Sequence, residues 1–341
     1  MATIKEVAKK ARVSVGTVSN VLCGTVPVSE KLRERVQNVI RELDYHPNHV
    51  ARSLKIKQTK MLGMVVSDIT NPFFPQMVRG AEDAAWKHSY VLLTLNSDDR
   101  VERERQVLSA LRARRVDGIL LVASAADNDV SHILGTVDSG IPVVLVDRQV
   151  GGVNLDSITA DNLAGSQMAV EHLISSGHRR IGMLTGKLHL QIARDRYQGY
   201  RKALAGAGIP FDEALLRDGV FRAEGGYHAA LSLLREERPE AVFTANAMMA
   251  LGFLKAAAEC GLRCPDDVAL ATFDDTTFSE AVRPQLTSVA QPAYDLGYQA
   301  VELLIHRIVE PGCDVTNIVL PTELRVRESS LSAKASQLVH A

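Results

Sequence analysis

From Met61 to about residue 330 the chain repeats one pattern, a short continuous apolar run followed by a segment with helical spacing. The runs are Leu62–Val66, Val91–Leu95, Gly118–Val122, Pro142–Val146, Ile181–Leu184, Ala241–Thr244 and Val268–Thr272. A strand that is apolar at every position must be covered on both faces, and a parallel sheet flanked by helices does this. A weak internal repeat divides the runs into two layers. Leu62-Gly63-Met64-Val65 with Arg79-Gly80-Ala81-Glu82 recurs as Ile181-Gly182-Met183-Leu184 with Gln198-Gly199-Tyr200-Arg201. The expectation is two doubly wound α/β subdomains with a cleft between them, where a ligand would bind outside the carboxyl ends of the strands.

Residues 1–60 read differently. Thr3 and Glu6 form a capping box that opens a helix with Ile4, Val7, Ala8 and Ala11 on one face. After an Arg12-Val13 turn, Ser14 caps a second helix that buries Val18, Val21 and Leu22 and turns Val15, Gly16, Thr17, Ser19 and Asn20 outward. Gly24 breaks this helix, Pro27 stiffens the loop, and Ser29 caps a third helix carrying Leu32, Val36, Val39, Ile40 and Leu43. This is the layout of a helix-turn-helix whose second helix enters the DNA major groove. The charge agrees: twelve Lys/Arg against five acids in residues 1–60, in a chain whose total is −1. A basic head on an acidic body suits a polyanion partner, because phosphate neutralisation dominates DNA affinity. On the outward face Asn20 can pair bidentately with adenine and Val15 can touch a thymine methyl, whereas Gly16 offers only close backbone approach. Thr17, Ser19 and Tyr45 suit phosphate contacts.

The motifs Thr3-Ile4-Lys5-Glu6-Val7-Ala8, Val13-Ser14, Thr17-Val18-Ser19, Tyr45-His46-Pro47-Asn48 and Ala51-Arg52-Ser53-Leu54 carry a specific resemblance. The chain resembles the lac/galactose/purine repressor (LacI/GalR) family over essentially its full length. The resemblance implies an all-α helix-turn-helix head (1–46) and a hinge helix with linker (47–60) that folds on operator DNA. An α/β two-subdomain, periplasmic-binding-protein-like effector and dimerisation domain (61–330) would follow, then a tail (331–341). Within the effector domain it implies an N-subdomain of about 61–160 plus 291–318 and a C-subdomain of about 161–290 plus 319–330. It also implies that Leu54 wedges into a minor-groove base step, a mode in which unstacking costs a few kcal/mol and kinking gains contacts. The residues assigned to DNA are then Thr3, Ser14, Val15, Gly16, Thr17, Ser19, Asn20, Tyr45, His49, Arg52, Ser53, Leu54 and Lys55.

For the cleft, Pro72 sets a helix start, so Asn71 and Phe73 should sit at its mouth; Phe74 is assigned to the core rather than to a ligand. Asp147 and Arg148 follow the fourth run, where polar residues serve ligands. The resemblance adds Arg196 from an Arg-x-x-Gly-aromatic motif, Phe221 as a second aromatic wall, and Asn246 and Asp274 as partners for hydroxyls. Asp275 is expected to hold its loop and Gln291 to line the hinge. Two departures from the family pattern, Ala247 and the apolar Leu190 and Ile192, make the pocket less polar than an ordinary hexose site. The effector expected is a sugar or sugar acid, with a nucleobase as the second class.

No Gly-x-Gly-x-x-Gly turn, phosphate-cradling loop, Gly-x-Ser-x-Gly elbow or His-Glu-x-x-His helix is present, so no enzyme activity, cofactor or metal is expected. Cys260 and Cys264 lack the second Cys/His pair of a zinc site. No apolar stretch reaches membrane-span length and the start lacks a signal-peptide pattern, so a cytoplasmic protein is expected. The expected partners are double-stranded operator DNA, a small-molecule effector and a second copy of the chain, and the tail carries no leucine heptad that would drive a tetramer. The competing reading is a solute-binding protein or sugar-handling enzyme with an added basic head.

Overall fold

The structure is a computed structural model that describes residues 2–23, 27–45, 58–124 and 129–331. The chain divides into two units, residues 1–59 and 60–341.

The first unit holds three helices, α1 (Ile4–Ala11), α2 (Val15–Cys23) and α3 (Glu30–Glu42). Thr3 and Glu6 make the reciprocal capping box, with the Thr3 amide donating to Glu6 Oε2 at 2.7 Å. Arg12 ends α1 in the left-handed region (φ 54°) and forms the tight turn into α2. Val7, Ala8, Ala11, Val18, Val36 and Val39 are the buried core, with Val13, Val21, Leu22, Ile40 and Tyr45 packed around it. Ser29 stands at the N-cap of α3, but its side chain makes no capping bond, contrary to expectation. The hinge residues 47–57, with His49, Arg52, Ser53, Leu54 and Lys55, lie outside the described residues.

The second unit contains two six-stranded sheets. The first is built from β1 (Met61–Val66), β2 (Val91–Asn96), β3 (Gly118–Leu121), β4 (Val143–Val146), β5 (Ser157–Ala160) and β11 (Asn317–Leu320), in the order β11-β5-β4-β3-β1-β2. The second uses β6 (Ile181–Thr185), β7 (Leu216–Asp218), β8 (Ala241–Thr244), β9 (Ala269–Phe273), β10 (Thr287–Ala290) and β12 (Glu323–Arg325), in the order β12-β10-β9-β8-β6-β7. Every pairing is parallel except β10 with β12. Strands β1, β3, β4, β6, β8 and β9 are buried almost throughout, as their unbroken apolarity requires. β2, at a sheet edge, is half exposed.

Around the first sheet lie α4 (Phe73–Lys87), α5 (Val101–Ala113), α6 (Ser131–Val137) and α12 (Ala293–Val309). Around the second lie α7 (Asn162–Ser175), α8 (Gln191–Gly206), α9 (Ala223–Glu236), α10 (Ala247–Glu259) and the short α11 (Thr277–Ala281). Helices α4 and α12 pack backbone to backbone through Gly80 and Gly297. A Cβ on Gly297 would stand 1.8 Å from the Met77 carbonyl oxygen, and one on Gly80 2.0 Å from that of Tyr294.

The chain crosses between the sheets three times, after β5, after β10 and after β11. Two crossings are bonded together: the Asp161 amide donates to the Leu320 carbonyl at 2.9 Å and the Thr322 hydroxyl to the Asp161 carbonyl at 3.4 Å. The last crossing follows Leu320, two residues beyond the boundary expected at 318, because β11 pairs with β5 along its whole length. Among the described residues, no helix is long and apolar enough to cross a membrane.

Candidate functional site

The two sheets occupy matching positions in the repeat, and the cleft is built from that correspondence. β4 and β9 are each third in their sheet order, and each is followed by an aspartate in the left-handed region: Asp147 at φ 67° and Asp274 at φ 69°. Asp tolerates that conformation better than most side chains. Each carboxylate sits at the strand's carboxyl end, the ligand position of an open α/β sheet.

One cavity gathers all nine residues expected from the sequence: Asn71, Phe73, Asp147, Arg148, Arg196, Phe221, Asn246, Asp274 and Gln291. Phe74 also lines it, although it is only 3% exposed and packs in the core as expected. Two buried guanidiniums dominate. Arg148 donates to Asp99 Oδ1 at 2.5 Å, to Ser67 Oγ at 3.3 Å and to the Ala123 carbonyl at 3.3 Å. Arg196 donates to Asn162 Oδ1 at 2.8 Å and to the Ala245 carbonyl at 2.6 Å, and lies 3.8 Å over the Phe273 ring. That leaves Nη2 of Arg196, 4.0 Å from Asp274 Oδ1, facing the space between.

Burial pushes the Asp147 carboxyl up to about 6, opposed by Arg148 and Arg196 and assisted by Asp274 and Asp99. Asp274 is raised for the same first reason, with Arg196 and the Gln291 hydrogen bond opposing. Burial also works against both arginines. Asp99 and Asp147 outweigh it at Arg148, whose pKa is raised, while Arg196 ends lowered.

The side chains divide by how fully they are engaged. The Asn246 amide caps α10, accepting from the Met249 amide at 2.9 Å, and donates to the Phe221 carbonyl at 3.0 Å. It therefore holds the Phe221 loop as well as facing the cavity. That loop is strained, with Val220 and Phe221 both left-handed (φ 49° and 57°). Gly186 makes room for the ring, since a Cβ there would lie 2.1 Å from it. Asn71 Oδ1 accepts from the Phe73 amide at 3.2 Å and starts α4. Gln291 donates to Asp274 Oδ1 at 2.5 Å at the second crossing. Asp275 holds its loop as expected, accepting from Arg327, Arg325 and Ser288. By contrast Asp147 Oδ1, Arg148 Nε and Gln291 Oε1 are buried without a hydrogen-bond partner, an arrangement buried polar groups rarely tolerate. Two acceptors and a donor on residues lining one cavity complement a compact polyhydroxylated molecule.

Asp99, Ser67, Asn162 and Phe273 join the site without being marked by the motifs above. Asp99 and Ser67 follow β2 and β1, the same strand-end signal that marks Asp147. Asn162 follows β5, a run too polar to read as a strand. Free space in the buried part of the cleft is about 30 Å³, room for about one water, so a larger ligand requires the lining to move.

In the head, Val15 and Gly16 are exposed and Thr17, Ser19 and Asn20 half-buried on α2. Ser14 Oγ accepts from the Thr17 amide at 3.0 Å and lies 2.9 Å from the Thr17 hydroxyl, so these two hydroxyls brace the helix start. The Thr3 hydroxyl is shared with the Glu6 cap, and Tyr45 packs against the head core. Among the described residues, no group of His, Cys, Asp and Glu is placed to hold a metal.

Residues 3–48 match the bacterial regulatory proteins of the lacI family, and residues 170–330 match the periplasmic binding protein-like domain. The chain is 36% identical to the ribose operon repressor of Haemophilus influenzae over 98% of this chain and all of that protein. It is 37% identical to the HTH-type transcriptional repressor PurR of Haemophilus influenzae (strain PittEE) over 96% of this chain and 98% of that protein. Among solved structures, the lac repressor dimer bound to operator and an anti-inducer matches with TM-score 0.86 and 30% identity, covering 97% of this chain and 99% of that one. A LacI family regulator from Enterococcus faecium with bound ribose matches with TM-score 0.72 and 31% identity, covering 79% of this chain and 98% of that one. Sequence likeness along the whole length, the helix-turn-helix head and the two-sheet cleft agree: the chain belongs to the lacI family of bacterial regulatory proteins and is an effector-controlled, DNA-binding regulator of transcription.

Proposed function

We propose that this protein is a cytoplasmic homodimeric repressor that binds a pseudo-palindromic operator and is controlled by a sugar or sugar acid held in the cleft. The observation that carries the effector half is the cavity, where polar side chains from both sheets converge and three buried polar atoms lack partners. Its two guanidiniums already face three carboxylates, Asp99, Asp147 and Asp274, so the buried chamber suits hydroxyls, and the acid group of a sugar acid would lie outside it. The ribose operon repressor and the ribose-bound regulator are in keeping with a sugar. The nine cavity residues are assigned to the effector, Asn246 in a double role.

The DNA half rests on the exposed face of α2. Val15, Gly16 and Asn20 would meet bases; Thr3, Ser14, Thr17, Ser19 and Tyr45 would position the backbone; and His49, Arg52, Ser53, Leu54 and Lys55 would form the hinge contact. A two-fold protein demands a two-fold site, and the lac repressor structure is a dimer on its operator. Residues 1–46, 47–60 and 61–330 serve as head, hinge and effector domain. No catalysis is assigned: the relatives are repressors, and the cleft carboxylates are read as partners for arginines and effector hydroxyls.

The test is an operator gel shift with and without sugars, together with thermal-shift screening of sugars, sugar acids and purines. A true effector at 100 times its Kd should stabilise by about 2.7 kcal/mol and change operator affinity. Absence of salt-sensitive binding to DNA from its own promoter region would exclude the regulator's operator role, and a purine as the sole stabilising ligand would exclude the sugar.

A further inference from the structure

A second cavity of about 290 Å³ opens at the mouth of the cleft, sharing Asp99, Phe221 and Arg222 with the buried chamber. Its lining has a different chemistry. Arg100, Lys187, His189 and Arg222 surround it, all four exposed, and none makes a side-chain hydrogen bond or ion pair among the described residues. The two acids that line it are engaged elsewhere: Asp99 with Arg148 at 2.5 Å, Asp98 with Arg103 and Asn96. The acids of the buried chamber therefore balance its own arginines, while the mouth carries unbalanced positive charge.

The helices around this cavity add to that charge. Arg100, Leu190 and Arg222 are the N-cap residues of α5, α8 and α9, and all three line the cavity. None of these helices has a side-chain cap. The neighbouring α7 and α10, which start at the buried chamber, are capped by Asp161 and Asn246. Uncapped amides and the positive end of the helix dipole favour an anion. First-turn acids moderate this on α5 (Glu102 and Glu104, the latter buried and accepting from the Ser124 amide) and on α9 (Glu224), but none of the three lines the cavity; α8 has no first-turn acid.

We infer that the mouth cavity binds a phosphate group, and that the effector is a phosphorylated sugar whose hydroxyls fill the buried chamber while its phosphate rests among Arg100, Lys187, His189 and Arg222. This rests on the sugar reading of the cleft. Phe221, which lines both cavities, would stand between sugar ring and phosphate. A monophosphate ester has the two-part character that the cleft presents: an uncharged hydroxylated end and a dianionic end.

The test is calorimetric titration of the full chain with ribose and ribose 5-phosphate, glucose and glucose 6-phosphate, and inorganic phosphate. At least one ester should bind about tenfold or more tighter than its parent sugar, the factor one retained charge-assisted hydrogen bond supplies. That advantage should shrink as salt is raised from about 0.05 to 0.5 M. In an Arg100→Ala/Lys187→Ala variant it should fall several-fold while the parent sugar binds as before. Parent sugars binding as tightly as their esters, or an ester advantage that survives in the variant, would overturn the phosphate inference and leave the sugar reading standing. Inorganic phosphate binding as tightly as the ester, independently of sugar, would reassign the mouth to a free anion. Failure of both sugars and esters to bind would remove the sugar reading together with the inference.

Discussion

Effector affinity should fall by about tenfold when the pH is lowered from 7.5 to 5. The perturbation is protonation of Asp147, which is 2% exposed and titrates at about 6 because burial opposes its charge more strongly than Arg148 and Arg196 support it. Its Oδ1 has no hydrogen-bond partner and offers a bound hydroxyl an acceptor. If the complex requires the ionised carboxylate, the free protein at pH 5 must first release a proton from a group about one unit above the pH, which costs about 1.4 kcal/mol, or one decade. Titration calorimetry with the strongest-binding sugar, in buffers of different ionisation enthalpy, measures both effects: the fall in affinity and release of nearly one proton per site at pH 5. Asp147→Asn should bind more weakly at pH 7.5 and show neither effect. A flat affinity profile in the wild type, or the same slope in the variant, would refute the assignment. The same carboxyl has a consequence for stability. It titrates near 3.8 when unfolded, so the raised native value makes its ionised form a burden on the ligand-free fold. That burden is absent below about pH 4, grows as the pH rises through 6, and reaches on the order of 3 kcal/mol above it. Asp147→Asn should therefore exceed the wild type in urea stability at pH 7.5, with the gap closing toward pH 4.

Four further outcomes are expected. Asn20→Ala should weaken operator binding by about 1–3 kcal/mol and relax preference at one A·T position, measured by gel shift across single-base operator variants. Leu54→Ala should weaken operator binding and reduce DNA bending without altering effector affinity; unchanged bending would dismiss the wedge. Gly297→Ala drives a Cβ into the Met77 carbonyl oxygen, and urea unfolding should record a loss of about 3 kcal/mol. Gly186→Ala should displace the Phe221 ring and weaken effector binding while operator affinity without effector stays unchanged, read by paired calorimetry and gel shift.

The two-layer architecture was legible because seven strands read as continuous apolar runs, and six of them are covered on both faces as such a run requires; the seventh, β2, is half exposed at a sheet edge. Five strands escaped for identifiable reasons. β5 (Ser157–Ala160) alternates small polar and apolar residues and β10 (Thr287–Ala290) opens with two polar ones, so neither reads as an apolar run; both are buried because neighbours pair with them on both sides. β7, β11 and β12 are edge strands of three or four residues, too short to show a period. In the cleft the nine expected residues converge because strand ends in such sheets point to one place. What the sequence concealed was their mutual engagement. Asn246 reads as a hydroxyl partner, but it also caps α10 and ties down the Phe221 loop; Arg196 reads as a free effector arginine, but two of its nitrogens are already bound. Such pairings join residues distant in the chain, and no local pattern encodes them.

The three crossings between the sheets also govern how the protein is made. The first sheet needs β11, so it stays incomplete until the ribosome has passed Leu320, and the second awaits β12. The head, with a core drawn entirely from residues before 46, can fold hundreds of residues earlier, since domains generally fold as units with the N-terminal one first. For much of each synthesis, then, a nascent chain carries a finished DNA-binding module without the apparatus that controls it. On the reading proposed above, in which two copies pair through the body to meet a two-fold operator, such a chain could not act before it is finished.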